Sequence, residues 1–173
     1  MSTVVLCTRR RRLLSMPTKQ MSAVQLESWR ALYRADTLLY AHLDNTLRSR
    51  LKMGYFEHEV LRALDRAGGR MRMAPLAKEL MISRSGATRL VGKLEDKDGW
   101  VVRRNTPEDR RATWAELTPA GREALAAAQP VVEAVVSTFF ADHVSDEDLR
   151  RASRILDVLA DANPNDDGFD CGL

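Results

Sequence analysis

Residues 74–121 of the chain read APLAKELMISRSGATRLVGKLEDKDGWVVRRNTPEDRRATWAELTPAG, and this stretch decides the fold. The spacing of its apolar residues predicts a short helix over 74–81 and a second helix over 83–98, with a tight turn between them. Ser83 is a favourable N-cap for the second helix. A strand-like hairpin over 100–117 follows, and its turn-rich loop carries adjacent arginines. Two helices joined by a turn and followed by a hairpin are the pattern of a winged helix-turn-helix.

The outward face of the second helix combines arginine, which reads base edges, with hydroxyl groups that bind bases or phosphates. The predicted DNA-contacting residues of this helix are Ser83, Arg84, Ser85, Thr88, Arg89 and Lys93. In the hairpin loop, Arg110 and Arg111 suit the electronegative minor groove, and Asp109 is expected to orient a neighbouring guanidinium. A solvated amphipathic helix would show the same outward charges, but a hairpin directly after it favours DNA binding.

Helical segments flank this module on both sides. Ser22 caps a predicted helix that extends to about residue 50, and 56–67 forms a second helix. After the hairpin, Thr118 and Pro119 begin a helix that continues to residue 140, in which Pro130 is expected to introduce a kink or a break. The last helix begins at Ser145 and is expected to bury Leu149, Ile155, Leu156 and Leu159. The flanking helices carry more apolar surface than one small domain can bury, so we expect a second copy of the chain to cover it.

The sequence therefore predicts a mainly α-helical protein with a small β-wing, in which a winged helix-turn-helix is joined to a helical dimerisation region. The predicted segments are a basic leader (1–21), a central domain (22–162) and an acidic tail (163–173). Within the central domain, the dimerisation helices are 22–53 and 119–162, the winged helix-turn-helix is 55–118, the recognition helix is 83–98 and the wing is 100–117. Two interpretations of the leader stay open: a flexible arm that contacts phosphates, or an extension produced by an early start codon.

Charge is distributed unevenly along the 173-residue chain, whose formal net charge is +3. Residues 83–111 contain eight basic and five acidic side chains, whereas 141–173 contain three basic and nine acidic ones. A basic middle and an acidic end suit a protein that presents one face to a polyanion and turns the other away.

The composition argues against several other classes of protein. No uncharged apolar run reaches the roughly 18 residues of a membrane span, so we expect a cytoplasmic protein without a membrane partner. Cys7 and Cys171 lie near opposite ends, which argues against a disulfide framework. The three histidines show no metal-ligand spacing, and no nucleophile–base pair or glycine-rich phosphate loop stands at diagnostic spacing. We therefore expect no metal, no cofactor and no enzymatic activity.

Two motifs resemble the MarR family of bacterial regulators. Asp109-Arg110-Arg111 followed by Leu117-Thr118-Pro119-Ala120-Gly121 is similar to the family's D-x-R … L-T-x-x-G wing signature. Residues 76–95 are similar to the family's turn and recognition helix, and the resemblance as a whole covers roughly 24–162.

Three features depart from the family's pattern. Met81 stands where glycine is usual, so the turn is expected to pack differently. Gly86 lies early in the recognition helix, where it weakens helicity but lets the backbone approach DNA. The link 97–100 is one residue longer than usual, which is expected to shift the angle of the wing.

The resemblance implies a homodimer with interleaved terminal helices, and therefore a palindromic operator whose half-sites lie about 10 bp apart. It also implies that Arg111 enters the minor groove, and that a small anionic or aromatic effector binds between the dimerisation helices and the winged domain. The residues predicted to line this effector pocket are Trp29, Tyr33, Tyr40, His42, His58 and Arg62. The alternative is that the aromatic side chains belong to the core or the dimer interface and that Arg62 is a solvated surface charge.

The predicted function is a sequence-specific transcriptional regulator, a repressor that a small effector releases from double-stranded DNA. Two alternatives remain open: a regulator of the same fold that senses oxidants through Cys7, and a winged-helix module that contacts proteins without binding DNA specifically. The effector, the operator, the regulated genes and the choice between repression and activation are not encoded in any pattern found in the sequence.

Overall fold

The computed structural model describes residues 20–106 and 109–162, with only the backbone described at 97, 98, 106 and 109–112. The chain divides into two compact units, Met1–Asp36 and Thr37–Leu173. In chain order, the helices are α1 (Ala23–Leu51), α2 (Tyr55–Arg66), α3 (Met73–Glu79), α4 (Arg84–Lys93), α5 (Pro119–Phe139) and α6 (Asp146–Ala162). The strands are β1 (Arg70–Arg72), β2 (Val101–Thr106) and β3 (Asp109–Leu117). A π-helical turn covers Leu94–Asp98, and a short 3-10 turn covers Ala141–His143. Cys7 and Cys171 lie outside the described residues.

These elements confirm the predicted fold, mainly α-helical with a small β-wing. The three strands form an antiparallel sheet in the order β1-β3-β2. Across β2 and β3, Val101 pairs with Leu117 and Arg104 pairs with Trp114, while Arg72 on β1 pairs with Trp114 from the other side. Successive side chains on a strand point to opposite faces, so one face of the sheet packs on the helices and the other carries polar side chains.

The hydrophobic core of the larger unit is built by the C-terminal part of α1, helices α2 to α5 and the inner face of the sheet. Its largest fully buried apolar residues are Leu47, Met53, Val60, Leu61, Leu64, Leu76, Val91, Leu94 and Val101. Burying one such side chain contributes about 1.5–3 kcal/mol. This packing holds α4 in helical form although Gly86 and Gly92 each cost it about 1 kcal/mol relative to alanine.

Side-chain caps begin α4 and α5 where the sequence predicts them. Ser83 Oγ accepts the N–H of Gly86 at 3.0 Å, and Thr118 Oγ1 accepts the N–H of Gly121 at 3.1 Å. Thr118 Oγ1 also donates to the carbonyl oxygen of Gly99 at 2.7 Å. Each cap contributes about 1 kcal/mol, and the second bond of Thr118 holds the start of α5 beside the turn that precedes β2.

The turn between α3 and α4 has a left-handed backbone at Met81, where φ is 53°. This conformation is the one for which glycine is favoured, and it costs a residue with a side chain roughly 1–2 kcal/mol. The Met81 side chain is 67% exposed, so the turn keeps a glycine-like backbone and directs the bulky group away from the core.

The link before the wing contains the π-helical turn Leu94–Asp98. A π-helical turn closes on i→i+5 hydrogen bonds and so holds one residue more than an α-helical turn. The N–H of Trp100 donates to the carbonyl oxygen of Leu94 at 3.0 Å, and Gly99 completes the turn with a φ of 62°. The additional residue is therefore absorbed before β2 begins.

The break expected at Pro130 is absent, and the burial expected on the last helix does not occur within the described part of the single chain. Pro130 does not break α5, which is one helix from Pro119 to Phe139. An interior proline costs about 3 kcal/mol, and the burial of Ala128 together with the packing of Val131 and Val132 against the core offsets that cost. The last helix, α6, has no buried residue within the part of the chain that the structure describes, and Ile155 is 63% exposed. The described part of the same chain does not cover the apolar side chains of α6.

Judged by length and composition alone, the helical segment Pro119–His143 is long and apolar enough to cross a membrane. Its best 18-residue window has a mean hydropathy of 1.5, and 11% of that window is buried within the chain. Glu133 lies within this segment, and Ala128 and Val135 on the same helix are buried. The helix thus combines a side that packs in the larger unit with an uncovered apolar side.

Gly121→Ala tests the close packing of α5 against the start of β2. A Cβ at this position would lie 2.1 Å from the Trp100 carbonyl oxygen and 2.8 Å from Leu117 Cδ1, so we expect the free energy of unfolding to fall by about 1–3 kcal/mol. The matched control is Gly92→Ala on α4, where the nearest atom is Arg103 Nη1 at 3.9 Å. There we expect a gain of about 0.5–1 kcal/mol from helix propensity. Denaturant unfolding followed by circular dichroism measures both, and equal stabilities of the two variants would contradict the packing.

Candidate nucleic-acid interface

Helix α4 buries one face and exposes the other. Ala87 and Val91 are fully buried in the core. The residues predicted to contact DNA that are exposed on this helix are Arg84, Ser85, Thr88, Arg89 and Lys93, with Ser83 half-buried at its start. The 3.6-residue period of the helix therefore gathers most of the predicted contacts on one outward surface.

The hydroxyl groups near the start of α4 bond within the helix itself. Ser83 Oγ lies 3.1 Å from Ser85 Oγ, and Thr88 Oγ1 donates to the carbonyl oxygen of Arg84 at 2.9 Å. A hydroxyl that makes one such bond retains the capacity to accept another. These three groups are therefore held in place while they can still accept a hydrogen bond from a ligand.

The two arginines of α4 give its outward surface a positive charge. Neither Arg84 nor Arg89 has an ion-pair partner among residues 20–106 and 109–162. Guanidinium groups that are not neutralised by the protein's own carboxylates produce a local positive potential that attracts anions. This surface is suited to the phosphates and base edges of a nucleic acid.

Lys93, which the sequence assigned to DNA contact, is held by a carboxylate of another helix. Its Nζ forms an ion pair with Oε1 of Glu57 on α2, although 46% of the Lys93 side chain is exposed. Oε2 of Glu57 accepts the N–H of Gly54 at 2.7 Å, and Glu57 is 3% exposed. One buried carboxylate thus connects the end of α4 with the turn between α1 and α2.

The same turn is bonded to α1 by a second carboxylate. Asp44 accepts the N–H of Tyr55 at 2.9 Å and the Nε–H of Arg48 at 2.6 Å. Burial by itself raises the pKa of Glu57, but the Gly54 N–H and Lys93 outweigh it, so this pKa lies below its usual value. Both carboxylates therefore stay ionised near neutral pH and keep their bonds to the turn.

The wing is attached to the π-helical turn by an ion pair between Glu95 and Arg103. Glu95 Oε1 accepts the backbone N–H of Arg103 at 2.8 Å, and Oε2 accepts its Nε–H at 2.5 Å. The backbone N–H of Arg103 is the main cause that lowers the pKa of Glu95. Asp109, Arg110 and Arg111 belong to β3 by their backbone, but their side chains lie outside the described atoms, so their roles stay predictions.

Sequence reasoning missed a group of arginines on the face of the sheet that points away from the helices. Arg70 and Arg72 lie over the ring of Trp114, with guanidinium-to-centroid distances of 5.0 Å and 5.2 Å. Arg104 forms an ion pair with Glu116 at 3.2 Å. The alternation of arginine and methionine at 70–72 was a readable strand signal, but only the pairing of β1 with β3 brings these side chains to Trp114.

Two of the predicted effector-pocket residues make aromatic contacts within the larger unit. The Tyr40 ring lies 5.4 Å from the ring of Tyr55 and 5.9 Å from that of Phe56. His42 stacks on Phe139, with ring centroids 3.8 Å apart. Tyr40 and Phe56 are 38% and 40% exposed, so this cluster forms an accessible aromatic surface.

Trp29 and Tyr33 form a separate pair in the unit Met1–Asp36. Their ring centroids lie 6.2 Å apart, and both side chains are exposed. Adjacent exposed aromatic rings on a helix are more typical of an interaction surface than of a solvent-facing one.

His58 and Arg62, the remaining pocket candidates, both bond to Glu59. His58 is buried, its Nδ1 lies 3.1 Å from Glu59 Oε1, and its buried Nε2 has no hydrogen-bond partner in the described part of the chain. Arg62 Nη2 donates to Glu59 Oε2 at 2.6 Å. Burial raises the pKa of Glu59, but the bonds from His58 and Arg62 lower it to about 2. Arg62 is therefore held in an ion pair and is not a freely solvated cation.

An exposed basic helix that follows a tight turn and is flanked by a β-hairpin defines a winged helix-turn-helix protein, the class that inserts one helix into the major groove of DNA. Within the part of the chain that the structure describes, no group of three or more His, Cys, Asp or Glu side chains could hold a metal ion.

Comparison with known proteins gives the family. Residues 53–112 match the family model described as MarR family. The structure is similar to that of Sco3205, a MarR family transcriptional regulator from Streptomyces coelicolor in complex with DNA, with 31% identity and a TM-score of 0.79 over 86% of this chain and 92% of that one. It is also similar to AbsC, a MarR family regulator from the same organism, with 29% identity and a TM-score of 0.77 over 84% and 97% of the two chains.

A third structure shares the fold at lower identity. The organohalide-sensing regulator RdhR-CbdbA1625, in its 2,4-dichlorophenol-bound form, matches with 16% identity and a TM-score of 0.74 over 88% of this chain and 89% of that one. No curated protein matches the chain at a significant level. The chain belongs to the MarR family, and it is accordingly a DNA-binding transcriptional regulator with a winged helix and not an enzyme.

The variant Lys93→Gln tests whether Lys93 positions α4 or contacts a phosphate of DNA. Because Lys93 binds Glu57, we expect weaker DNA binding with an unchanged slope of log K against log salt concentration. Loss of a phosphate contact would instead reduce that slope by about 0.9 per contact. The control is Arg89→Gln, which removes an exposed charge from the same helix and is expected to reduce the slope. Fluorescence-anisotropy titrations over a series of salt concentrations measure both, and a reduced slope for Lys93→Gln would contradict the positioning role.

Proposed function

We propose that this regulator is a repressor, that it binds a palindromic operator as a homodimer, and that a small effector releases it. The observation that carries the proposal is the exposed surface of α4, where Arg89 stands opposite the buried Ala87 and Val91 and Arg84 is exposed in the first turn. This arrangement offers guanidinium groups on a rigid helix, the geometry that reads guanine in the major groove.

Each candidate residue has a distinct role in this proposal. Arg84 reads base edges, Arg89 binds a base edge together with the adjacent phosphate, and Ser83, Ser85 and Thr88 bond bases or phosphates near the start of the helix. Arg111 enters the minor groove with Arg110 beside it, and Asp109 orients the guanidinium. Lys93 acts mainly through Glu57, by fixing the end of α4 relative to α2.

The homodimer is supported by the apolar surface that the terminal helices leave uncovered. On α6, Ile155 is 63% exposed and Val158 is 67% exposed, and Phe139 at the end of α5 is 46% exposed. Monomeric soluble proteins rarely leave such continuous apolar patches open to water. A second copy of the chain is a better cover than a membrane, because α5 carries Glu133 and packs one side in the protein's own core. We therefore place the protein in the cytoplasm.

Two-fold symmetry then relates the two copies of α4. Each copy reads one half-site in the major groove, so the operator is a palindrome whose half-sites lie about 10 bp apart. A structural relative of this chain was solved in complex with DNA, which supports the same use of the fold here.

The proposed effector is a small aromatic compound. The cluster of Tyr40, Tyr55 and Phe56 offers accessible ring faces. It adjoins the turn between α1 and α2, next to Glu57, which forms the ion pair with Lys93 on α4. A ligand that binds there releases DNA only if it prefers one arrangement of α4 over the other. The relative RdhR-CbdbA1625 was solved in a 2,4-dichlorophenol-bound form, and its fold resembles this one.

Arg89→Ala and Arg111→Ala test the assignment of the DNA surface. We expect each to weaken binding to the upstream DNA of the protein's own gene by roughly tenfold or more, because each removes a guanidinium from a groove. The matched control is Arg150→Ala on α6, whose side chain pairs with Asp146 within the same helix. Gel-shift titrations at fixed salt, against a scrambled duplex of equal length, give the affinities. Equal affinity of the wild-type protein for both duplexes would overturn the operator proposal, and unchanged affinity of both variants would overturn the residue assignment.

Val158→Asp tests the homodimer. The chain mass is 19.5 kDa, so a dimer has twice this mass, 39 kDa. A carboxylate in the apolar strip of α6 costs several kcal/mol if the strip is buried between subunits, so we expect the variant to sediment as a monomer. The control Ser153→Asp introduces the same charge about 140° around the helix from Val158 and should remain dimeric. Sedimentation velocity distinguishes the two species, and a wild-type protein of 19.5 kDa would refute the dimer.

A further inference from the structure

The turn between α3 and α4 closes in a Schellman motif whose left-handed position is occupied by Met81. The N–H of Met81 donates to the carbonyl oxygen of Lys78 at 3.1 Å, and the N–H of Ile82 donates to that of Ala77 at 3.0 Å. In this motif the residue after the C-cap takes a positive φ, which is 53° at Met81. Glycine is the usual residue there because it has no Cβ to clash with the backbone.

The same chain closes α2 with the same motif and uses glycine for it. There the N–H of Gly68 donates to the carbonyl oxygen of Asp65 at 3.0 Å, and the N–H of Gly69 donates to that of Leu64 at 2.8 Å. Gly68 has a φ of 78° and is the counterpart of Met81. Met81 therefore adopts a backbone conformation that is unfavourable for a residue with a side chain and that glycine adopts without this penalty.

The side chain of Met81 contributes little to the packing of the domain. Its neighbours Leu80 and Ile82 pack in the core, whereas Met81 is 67% exposed. Lys52 ends α1 with a similar φ of 56°, but its charged side chain gains from contact with water. A strained backbone that carries an exposed apolar side chain indicates a role beyond packing within the single chain.

The position of Met81 favours DNA as the partner of this side chain. Met81 is two residues before Ser83, so their Cα atoms are at most about 7.6 Å apart. Ser83 and Arg84 begin the helix that is proposed to enter the major groove, and residues at the start of such a helix contact base edges. The unbranched thioether has three rotatable bonds, so it can reach into the groove from the turn.

An apolar side chain in the major groove has one main partner. The edges of the base pairs present hydrogen-bond donors and acceptors there, and the C5-methyl group of thymine is the apolar exception. We infer that Met81 contacts a thymine methyl group next to the bases read by Arg84, and that it adds sequence specificity to each half-site. This inference rests on the proposed operator binding.

Replacing thymine by deoxyuridine tests this contact, because the change removes the methyl group and leaves the hydrogen-bonding groups of the base pair in place. The starting duplex is the tightest binder that the wild-type protein selects from the upstream DNA of its own gene. Each thymine of a half-site is replaced in turn, together with its symmetry mate. At one position we expect the wild type to lose affinity on the order of tenfold, because each dimer loses two apolar contacts.

Two variants of Met81 separate the DNA contact from the stability of the fold. Met81→Gly should bind the thymine duplex as weakly as the wild type binds the sensitive uracil duplex, and uracil should weaken it no further. Its Tm should rise by about 2–4 °C because the left-handed backbone is relieved. A residue that served only the fold would not move affinity and stability in opposite directions. Met81→Leu keeps an apolar side chain and should stay within about threefold of the wild-type affinity.

Equal affinity of the wild type and Met81→Gly for the thymine duplex would overturn the inference, and so would an equal loss by both proteins on every uracil duplex. An operator in which no uracil substitution weakens wild-type binding would overturn it as well. In each of these cases specific operator binding by the wild type persists. Absence of that specific binding would instead overturn the proposed function on which the inference rests.

Discussion

The geometry of the winged domain depends on the hydrogen bond and the ion pair that the buried carboxylate of Glu57 forms. It accepts the N–H of Gly54 at the turn into α2, and it holds Lys93 at the end of α4. Removing a carboxylate from water is costly, and the bonds to this one repay that cost only while both partners stay in place. The position of α4 is therefore tied to the turn that joins α1 to the rest of the domain.

Other surfaces of the domain are exposed and carry side chains of a different kind. The outward face of α4 and the outward face of the wing sheet carry arginines, while α6 carries apolar side chains that the described part of its own chain does not cover. Positive surfaces and apolar surfaces select different partners, because the first gain by neutralising phosphates and the second by excluding water. The proposed dimer contact and the proposed DNA contact therefore use different surfaces of the chain.

The local part of this architecture was predictable from sequence. Caps at Ser83 and Thr118 depend on residues three positions apart, and the buried face of α4 follows from the helical period. The pairing of Lys93 with Glu57 was not predictable, because the two residues lie on different helices and each is of a type that usually occupies exposed positions. The break expected at Pro130 was wrong for the same reason: the packing that offsets the cost of proline comes from elsewhere in the chain.

The sequence by itself determined the fold class and the family and predicted the helix that faces DNA, because these follow from periodicity, capping and a contiguous wing motif. Tertiary structure alone decided which cations are available to a ligand. It assigned Lys93 to Glu57 and brought Arg70 and Arg72 over Trp114, whereas the pair of Arg62 with Glu59 is an i,i+3 contact within one helix. The physical reason is that the interaction of a charged side chain with a ligand depends on the charges and rings already next to it. In this protein those neighbours come from other helices and strands or from an adjacent turn of the same helix.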